Sequence, residues 1–359
     1  MLRLFSRRPN LRSAISNLDG HQIDPDLQDR FAAFLEHAKE RELCYLNPRY
    51  LAERLKVSER TALKLLLAAL YEGIVNLHWD VRCPACGAVD HRWHSLGELH
   101  HEAQCEACQA QFTPRLDDEV RVTFSLHPRL RVLSASAEDP AFRARIDAQF
   151  GPVPGQALLL LPDFQRLFPQ QRLLPDESLL VTRAALLFTD LAGSTALYAR
   201  RGDPRAYHLV RLHFDELFHV ADAGGGVVVK TIGDAILAVF QTPIESLRAA
   251  LEMQRAIAKL NTRQNLRDHE RLILKAGLHS GPCLSVTLNE RPDYFGTTVN
   301  IAARVQGLSR GNDLICTEAI HADRDAQAIF AGYTLESNHV RLRGIDEEVL
   351  VHRLELSDP

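Results

Sequence analysis

Two cysteine pairs, Cys83-Pro-Ala-Cys86 and Cys105-Glu-Ala-Cys108, stand eighteen residues apart and limit the folds open to this chain more than any other feature of it. A two-residue gap lets both thiolates of a knuckle face one ion, and four thiolates complete the tetrahedral shell that zinc accepts in a closed structural site. Gly87, behind the first knuckle, suits the tight turn such a loop needs. The intervening WHSLGELHHEAQ reads as the strand and loop of a zinc ribbon, with one structural Zn2+ held by Cys83, Cys86, Cys105 and Cys108. Two other readings stay open at this point: a disulfide pair, or a mixed shell in which His91, His94, His100 or His101 replaces a thiolate. Cys44, Cys283 and Cys316 have no partner at ligand spacing and read as small buried residues.

A ribbon accounts for a small part of 359 residues, which is enough chain for two or three domains with cores of their own. A hydrophobic content of 46% and a charged content of 25% are those of globular proteins. The net charge of -4 gives no general attraction to nucleic acid or to an anionic membrane. The longest wholly apolar run, ALLLL from Ala157 to Leu161, stops at Pro162 and is far too short to span a bilayer. No apolar stretch of signal-peptide length follows the arginines of MLRLFSRRPNLRS. The expectation is a cytoplasmic protein with neither a membrane nor a nucleic-acid partner.

Residues 1–80 read as helical. Leu27, Phe31, Phe34, Leu35 and Ala38 recur at helix spacing over 26–40. YLAERLKVSERTALKLLLAALYEGIVNLHW then has the rhythm of a helix-turn-helix, with one helix to Leu55 and a second capped by Ser58 and ending near Gly73. A DNA-reading helix needs a polar and basic outer face. This one sets Arg60 and Lys64 against Leu63, Leu65, Leu66, Leu67 and Leu70, which favours a buried packing helix over a DNA-binding regulator. The ribbon occupies 81–125, and from about 119 the text turns strand-like (EVRVTFSL). Residues 126–181 read as a connecting region, interrupted by Pro140, Pro152, Pro154, Pro162, Pro169 and Pro175.

From 182 to 356 strand-like and helical patterns alternate, which predicts an α/β layer domain. RAALLFTDL (183–191) is a buried strand ending in an acid, and Gly193-Ser194-Thr195 opens a helix. Asp203 is expected to cap the next helix, with Pro204 at its first position. GVVVKTIGDAILAVF (226–240) forms a hairpin with Lys230 and Asp234 near its tip. A helix from Pro243 to Leu260, strands at 271–279 and 283–288, a helix from Thr298 to Leu308, and strands at 313–317 and 349–355 complete the domain. Asp190 and Asp234, at the ends of neighbouring strands, are either solvated strand ends or a pair of hard oxygen ligands for magnesium. Free N–H groups after Asp190, at a helix start, suit a phosphate and favour the second reading.

FTDLAGST (188–195), KTIGDA (230–235), GLHSGP (277–282) and DYFGTTVNIAAR (293–304) together resemble, in order and approximate spacing, the catalytic domain of class III nucleotidyl cyclases. The resemblance covers about 175 residues, 182–356, and four motifs in sequence make it specific. The region ahead of it also looks like a domain that accompanies some bacterial adenylyl cyclases. The resemblance implies an α+β, ferredoxin-like domain with a mixed or antiparallel sheet. Position by position, Asp190 and Asp234 match the aspartates that hold two Mg2+ or Mn2+ ions, and Lys230 and Asp293 match the pair that selects adenine. Asn300 and Arg304 match the helix residues that position the ribose and stabilise the transition state, and Gly193, Ser194 and Thr195 lie where phosphate is bound.

Near the end of the chain the family places a phosphate-binding lysine, where this sequence has Arg343 in VRLRG. An arginine keeps the charge and changes the geometry. The function implied is an adenylyl cyclase that converts ATP to cyclic AMP and pyrophosphate. Since one chain carries each set of residues once, the resemblance implies a homodimer with two equivalent sites. A catalytically silent nucleotide-binding relative is the alternative. The Gly224-Gly225-Gly226 run reads as a turn and lacks the acid-rich signature of diguanylate cyclases. His279 reads as structural.

Overall fold

A computed structural model describes residues 11–356, the side chains of Asp90, His91 and Arg201 excepted. The chain divides into two compact units, the first running to Leu159 and taking in Asp163–Leu179, the second comprising Leu160–Pro162 and the chain from Leu180 onward.

In the first unit, helix α1 (Pro25–His37) starts where Asp24 accepts from the Leu27 amide at 3.2 Å with proline at the first position, and it buries Leu27, Phe31, Phe34 and Leu35. Helix α2 (Pro48–Leu55) is capped by Asn47 and closed by Lys56 in the left-handed region, and α3 (Glu59–Tyr71) is capped by Ser58. Ala62, Leu63, Leu65, Leu66, Leu67, Ala68 and Ala69 of α3 are buried, so most of its girth faces protein. Strand β1 (Val75–Arg82) lies between β2 (Val89–Trp93) and β5 (Val120–Leu126) in an antiparallel sheet, with Trp79 opposite Trp93 and fully buried. Two short strands, β3 (Ala103–Gln104) and β4 (Gln111–Phe112), flank the second knuckle. Residues 126–159 and 163–179 pack with this unit and include helix α4 (Pro140–Phe150), to which α2 is tied by Asn47 Nδ2 donating to Asp147 Oδ1 at 2.9 Å.

The second unit is one mixed sheet covered by helices. In chain order it holds β6 (Ser178–Leu191), α5 (Ser194–Arg201), α6 (Asp203–Ala223), β7 (Val227–Ile232), β8 (Ala235–Phe240) and α7 (Pro243–Arg263). There follow β9 (Leu274–Leu288), β10 (Arg291–Phe295), α8 (Thr297–Gly307), β11 (Asp313–Thr317), α9 (Glu318–His321), α10 (Arg324–Phe330), β12 (Thr334–Arg341) and β13 (Glu348–Glu355). The strand order is β12-β13-β11-β9-β6-β8-β7, with β11 parallel to β9 and β10 paired to β9 off this path. One face buries Ala185, Leu187, Ile236, Ala238 and Phe240 against α6 and α7. On the other, Val305 of α8 packs with Ile315, Leu342 and Val351, and Ile301 and Leu308, partly buried, pack beside it as the rest of an apolar stripe.

Three local expectations need correction. Residues 271–279 and 283–288 are not two strands: β9 runs unbroken from Leu274 to Leu288. Pro282 is tolerated because it falls between the pairing of Lys275–Leu278 with β11 and that of Leu284–Leu288 with β10. Asp203 does not cap α6; it is the first helical residue, and Gly202 occupies the cap position without a side-chain bond. The end of the domain also contains α9, α10 and the edge strand β12, which the sequence reading passed over. Its TLESNHVR is mostly exposed and lacks the apolar alternation of a half-buried strand.

Candidate functional site

Alternation along β6 sends Ala185, Leu187 and Leu191 into the core beneath α6 and α7, which turns Leu186, Phe188 and Asp190 to the opposite face. Asp234 is the second residue of the two-residue loop joining β7 to β8. Gly233 before it has a φ of 64°, the left-handed conformation that such a tight hairpin asks of its first position. Asp234 Oδ2 accepts from the Leu191 amide at 3.3 Å, so this carboxylate lies against the peptide that follows Asp190. Burial, and after it the charge of Asp234, push the Asp190 carboxyl above its ordinary pKa, with Lys275 opposing. Two carboxylates that repel across so small a gap form a hard-oxygen donor set suited to a divalent cation.

Lys230 reaches the same face of the sheet by a device the sequence reading missed. Val228 pairs with Ala238 but Lys230 pairs with Leu237, so Val229 is an extra residue in β7 and forms a β-bulge. In a regular ladder Lys230 would have opposed Ile236 and pointed into the core beneath α6 and α7. The bulge sets it opposite Leu237, which pairs with Phe188 on the face of Asp190. The available signal was parity: Val228 and Lys230 are two apart, and an apolar and a charged residue rarely share one buried face. Lys230 Nζ donates to Asp293 Oδ2 at 2.7 Å, and its ammonium lies 5.6 Å from the centre of the Phe295 ring. Asp293, on β10 opposite Val286, is 5% exposed and accepts from the Tyr294 amide through Oδ1 at 2.8 Å. The hairpin and the β9–β10 arm thus place a cation and a carboxylate side by side.

Helix α8 lies directly on β9. A Cβ on Gly277 would come within 2.2 Å of the Gln306 backbone nitrogen, so the missing side chain is what lets helix and strand touch. Asn300 and Arg304 are one turn apart on this helix, Asn300 exposed and Arg304 half-buried. Arg304 Nη1 is buried and has no hydrogen-bond partner among the described residues, and no carboxylate pairs with this guanidinium there. The turn bearing Arg343 comes to the same place, since a Cβ on Gly344 would stand 3.5 Å from Arg304 Nη2. Arg343 itself is exposed. Gly193, with a φ of 71°, occupies the cap of α5, and Ser194 and Thr195 form its first turn. Within one chain the structure brings Asp190 to Asp234, Lys230 to Asp293, and Arg304 to the Arg343 turn. His279 is hydrogen-bonded to Thr317 Oγ1 at 2.7 Å, and burial pulls it down to about 4.

In the first unit the four knuckle cysteines converge, with ligand atoms all within 4.8 Å of one another. Cys83 and Cys108 sulfurs stand 3.7 Å apart and Cys86 and Cys105 sulfurs 3.5 Å apart, and all four are free thiols. A disulfide needs ~2 Å, whereas sulfurs at the corners of a tetrahedron with ~2.3 Å arms lie about 3.8 Å apart. Amides within the first knuckle, that of Cys86 foremost, draw the Cys83 thiol down to about 7. His100 and His101 are engaged with Glu177 at 2.7 and 2.8 Å, and His94 packs on His78, so none of these three replaces a thiol. The side chain of His91 lies outside the described residues.

A mixed sheet with a carboxylate pair on one strand end and an unpaired guanidinium on the helix across the same face defines a domain equipped to hold a divalent cation and an anionic substrate. Residues 180–353 match the adenylate and guanylate cyclase catalytic domain, and residues 11–147 match a family of unknown function, DUF5939. The C-terminal domain belongs to the nucleotidyl cyclase catalytic family.

Among curated relatives, an adenylate cyclase of Anabaena cylindrica is 26% identical over 184 residues, covering 48% of this chain and 36% of that protein. An adenylate cyclase of Glutamicibacter nicotianae is 31% identical over 142 residues, covering 39% of this chain and 31% of that protein. The chain thus spans about a third of the length of these two relatives. A solved structure of adenylate cyclases from Trypanosoma brucei in their monomeric state is 22% identical with a TM-score of 0.43, covering 48% of this chain and 89% of that one. Among the described residues no helix is long and apolar enough to cross a membrane.

Proposed function

We propose that this protein is an adenylyl cyclase that forms 3′,5′-cyclic AMP and pyrophosphate from ATP. The observation that carries the choice of base is the Lys230–Asp293 pair, a donor and an acceptor held 2.7 Å apart in a cyclase domain. An ammonium donates to adenine N1 and a carboxylate accepts from the exocyclic amine; guanine presents the reverse pattern. Arg304, with a buried donor still lacking an acceptor, is placed to meet the charge that develops on the phosphoryl oxygens as the ribose 3′-oxygen attacks the α-phosphorus. Asn300 orients the ribose from the same helix face. Asp190 and Asp234 would hold two Mg2+ or Mn2+ ions, whose chemistry when bound is to acidify the attacking hydroxyl and to neutralise the leaving phosphates.

The site is completed by a second copy of the chain, in this reading, with the carboxylate pair of one protomer facing the base pair of its partner. Ile232, Leu284, Leu288 and Phe295, on the hairpin and the β9–β10 arm, are apolar and 40–52% exposed, and this is the surface a partner would cover. One structural zinc held by the four cysteines belongs to the same proposal, in the unit that precedes the catalytic domain. The test is incubation of the purified full chain with ATP or GTP and manganese, with products identified by mass spectrometry. Cyclic AMP from wild type, and its loss in Asp190→Asn with the oligomeric state unchanged, supports the reading. No cyclic nucleotide from a folded, metal-replete dimer would refute it.

A further inference from the structure

A cavity of about 610 Å³ opens in the first unit between β1, β5 and α4, a volume typical of small-molecule sites. Five arginines line it: Arg41, Arg82, Arg92, Arg121 and Arg143. Their acidic neighbours satisfy them poorly. Arg92 Nε stands 3.6 Å from Asp80, Arg143 Nη2 3.7 Å from Glu138, and Arg121 Nη1 3.9 Å from Asp147. A charge-assisted hydrogen bond is about 1 Å shorter. Of these arginines' ion pairs among the described residues, only Arg92 Nη1 to Glu138, at 2.8 Å, is that short; Arg41 Nη1 donates to Asp139 Oδ2 at a longer 3.4 Å. The Nε atoms of Arg41, Arg92 and Arg143 are buried without a hydrogen-bond partner among the described residues, and so is Asp80 Oδ1.

Buried charged donors left without acceptors need an explanation, and the fixed geometry of these arginines supplies part of one. The Arg92 and Arg143 guanidiniums lie 4.1 and 4.9 Å from the centre of the Tyr45 ring, and Arg41 lies 4.9 Å from that of Phe142. Stacking holds their planes in place before anything binds, which lowers the ordering cost of binding. Rigid N–H donors matched by no protein acceptor are complementary to an oxygen anion. The unpartnered Asp80 oxygen is the same Oδ1 that stands 3.6 Å from Arg92 Nε, so a hydroxyl of the bound molecule bridging the two satisfies both.

We propose that this cavity binds a small hydroxylated organic oxyanion, a carboxylate or a phosphate ester, gripped by Arg92 and Arg143 with Asp80 receiving its hydroxyl. This site is separate from the catalytic domain and does not depend on the function proposed for that domain.

The experiment uses the full chain carrying Arg304→Ala, which removes one anion donor of the catalytic domain; Arg343 and the start of α5 remain there, so the two cavity variants below assign the binding. Citrate, glycerol 3-phosphate and inorganic phosphate are titrated by calorimetry and by thermal unfolding, against glycerol and against sodium chloride of matched ionic strength. The expected result is saturable binding and a raised unfolding midpoint with citrate or glycerol 3-phosphate, and none with glycerol. Citrate alone identifies a carboxylate site, and glycerol 3-phosphate alone a phosphate ester site. Binding is expected to weaken about tenfold or more in Arg143→Gln. Arg92→Lys is the second variant; it keeps the charge beside Glu138 and loses the planar fork, and is expected to weaken binding as well. Absence of binding by both organic anions, binding unchanged in both folded variants, or tighter binding of bare phosphate than of either organic anion would overturn the proposal.

Discussion

His213 offers a measurable test of how the core of the catalytic domain is built. It lies on α6, fully buried, with Nδ1 3.3 Å from the Val210 carbonyl oxygen and Nε2 without a partner among the described residues. Burial pulls its pKa from 6.5 to about 4, against smaller opposing effects from the Val210 carbonyl and the charge of Asp234. A group whose folded pKa lies below its unfolded value takes up a proton more readily when the chain unfolds. The stability it contributes is intact above its unfolded pKa and is lost as pH falls toward the folded one. At about pH 5 the unfolded imidazole is charged and the folded one is not. The difference is roughly 1.5 pH units at ~1.4 kcal/mol each, or about 2 kcal/mol relative to about pH 7.

The perturbation is His213→Leu, which removes the titrating group and keeps an apolar side chain beside Phe214. Urea unfolding of the full chain, read through hydrogen exchange of β8 peptides so that the second unit is followed by itself, is compared at the two pH values. Wild type should lose about 2 kcal/mol more than the variant on acidification. His78 and His279, each also pulled to about 4 by burial, are present in both proteins and cancel. Equal acid losses in wild type and variant would show that His213 is not held neutral by its surroundings, and the reasoning would fail.

The remaining predictions concern the proposed chemistry and its supports. Lys230→Glu leaves two carboxylates facing each other in place of the 2.7 Å pair, and should lower the preference for ATP over GTP by at least about tenfold; an unchanged preference in initial-rate assays would remove Lys230 from base selection. Gly277→Ala forces α8 off β9, with an expected loss of about 1–3 kcal/mol in denaturant unfolding and of about 10² in turnover as Arg304 is displaced. A variant with wild-type turnover would show that the close approach does not position the helix. Cys105→Ser removes a buried member of the four-thiol cluster, and bound zinc measured by mass spectrometry should fall from one per chain toward none, with faster exchange of amides across 83–112. Zinc retained at full occupancy would point to ligands other than the four thiols.

Much of this was legible because the signals were local. The C-x2-C pairs fix which sulfurs can meet, and they meet; Ser58 starts a helix because its side chain accepts from the Thr61 amide. Ile301, Val305 and Leu308, spaced four and three apart in the sequence, mark the side of α8 that packs inward. What escaped was set by tertiary partners. The Gly281-Pro282 pair suggested a break in β9, and only the change of neighbour from β11 to β10 makes it tolerable within a strand. Strand β12 has no apolar alternation to find, because it is an edge strand held by the ladder to β13. At the site, the residue types at Asp190, Asp234, Lys230 and Asp293 could be read, but the ion pair between two of them depends on a fold in which β10 meets β7. The cavity arginines escaped altogether, for they come from segments as far apart as Arg41 and Arg143 and form no motif.

The bulge at Val229 carries a consequence for how this hairpin can vary. Substituting one valine of the run for another β-branched residue leaves the count intact and the lysine where it is. Deleting Val229 removes the bulge and leaves the lysine opposite Leu237, whereas deleting one residue between Lys230 and Gly233 sets it opposite Ile236 and passes its ammonium to the helix-covered side, away from Asp293. Insertions and deletions between Lys230 and Gly233 are therefore the stricter filter here, and homologous hairpins should conserve the spacing from the lysine to that glycine more tightly than the number of residues between Gly226 and Lys230.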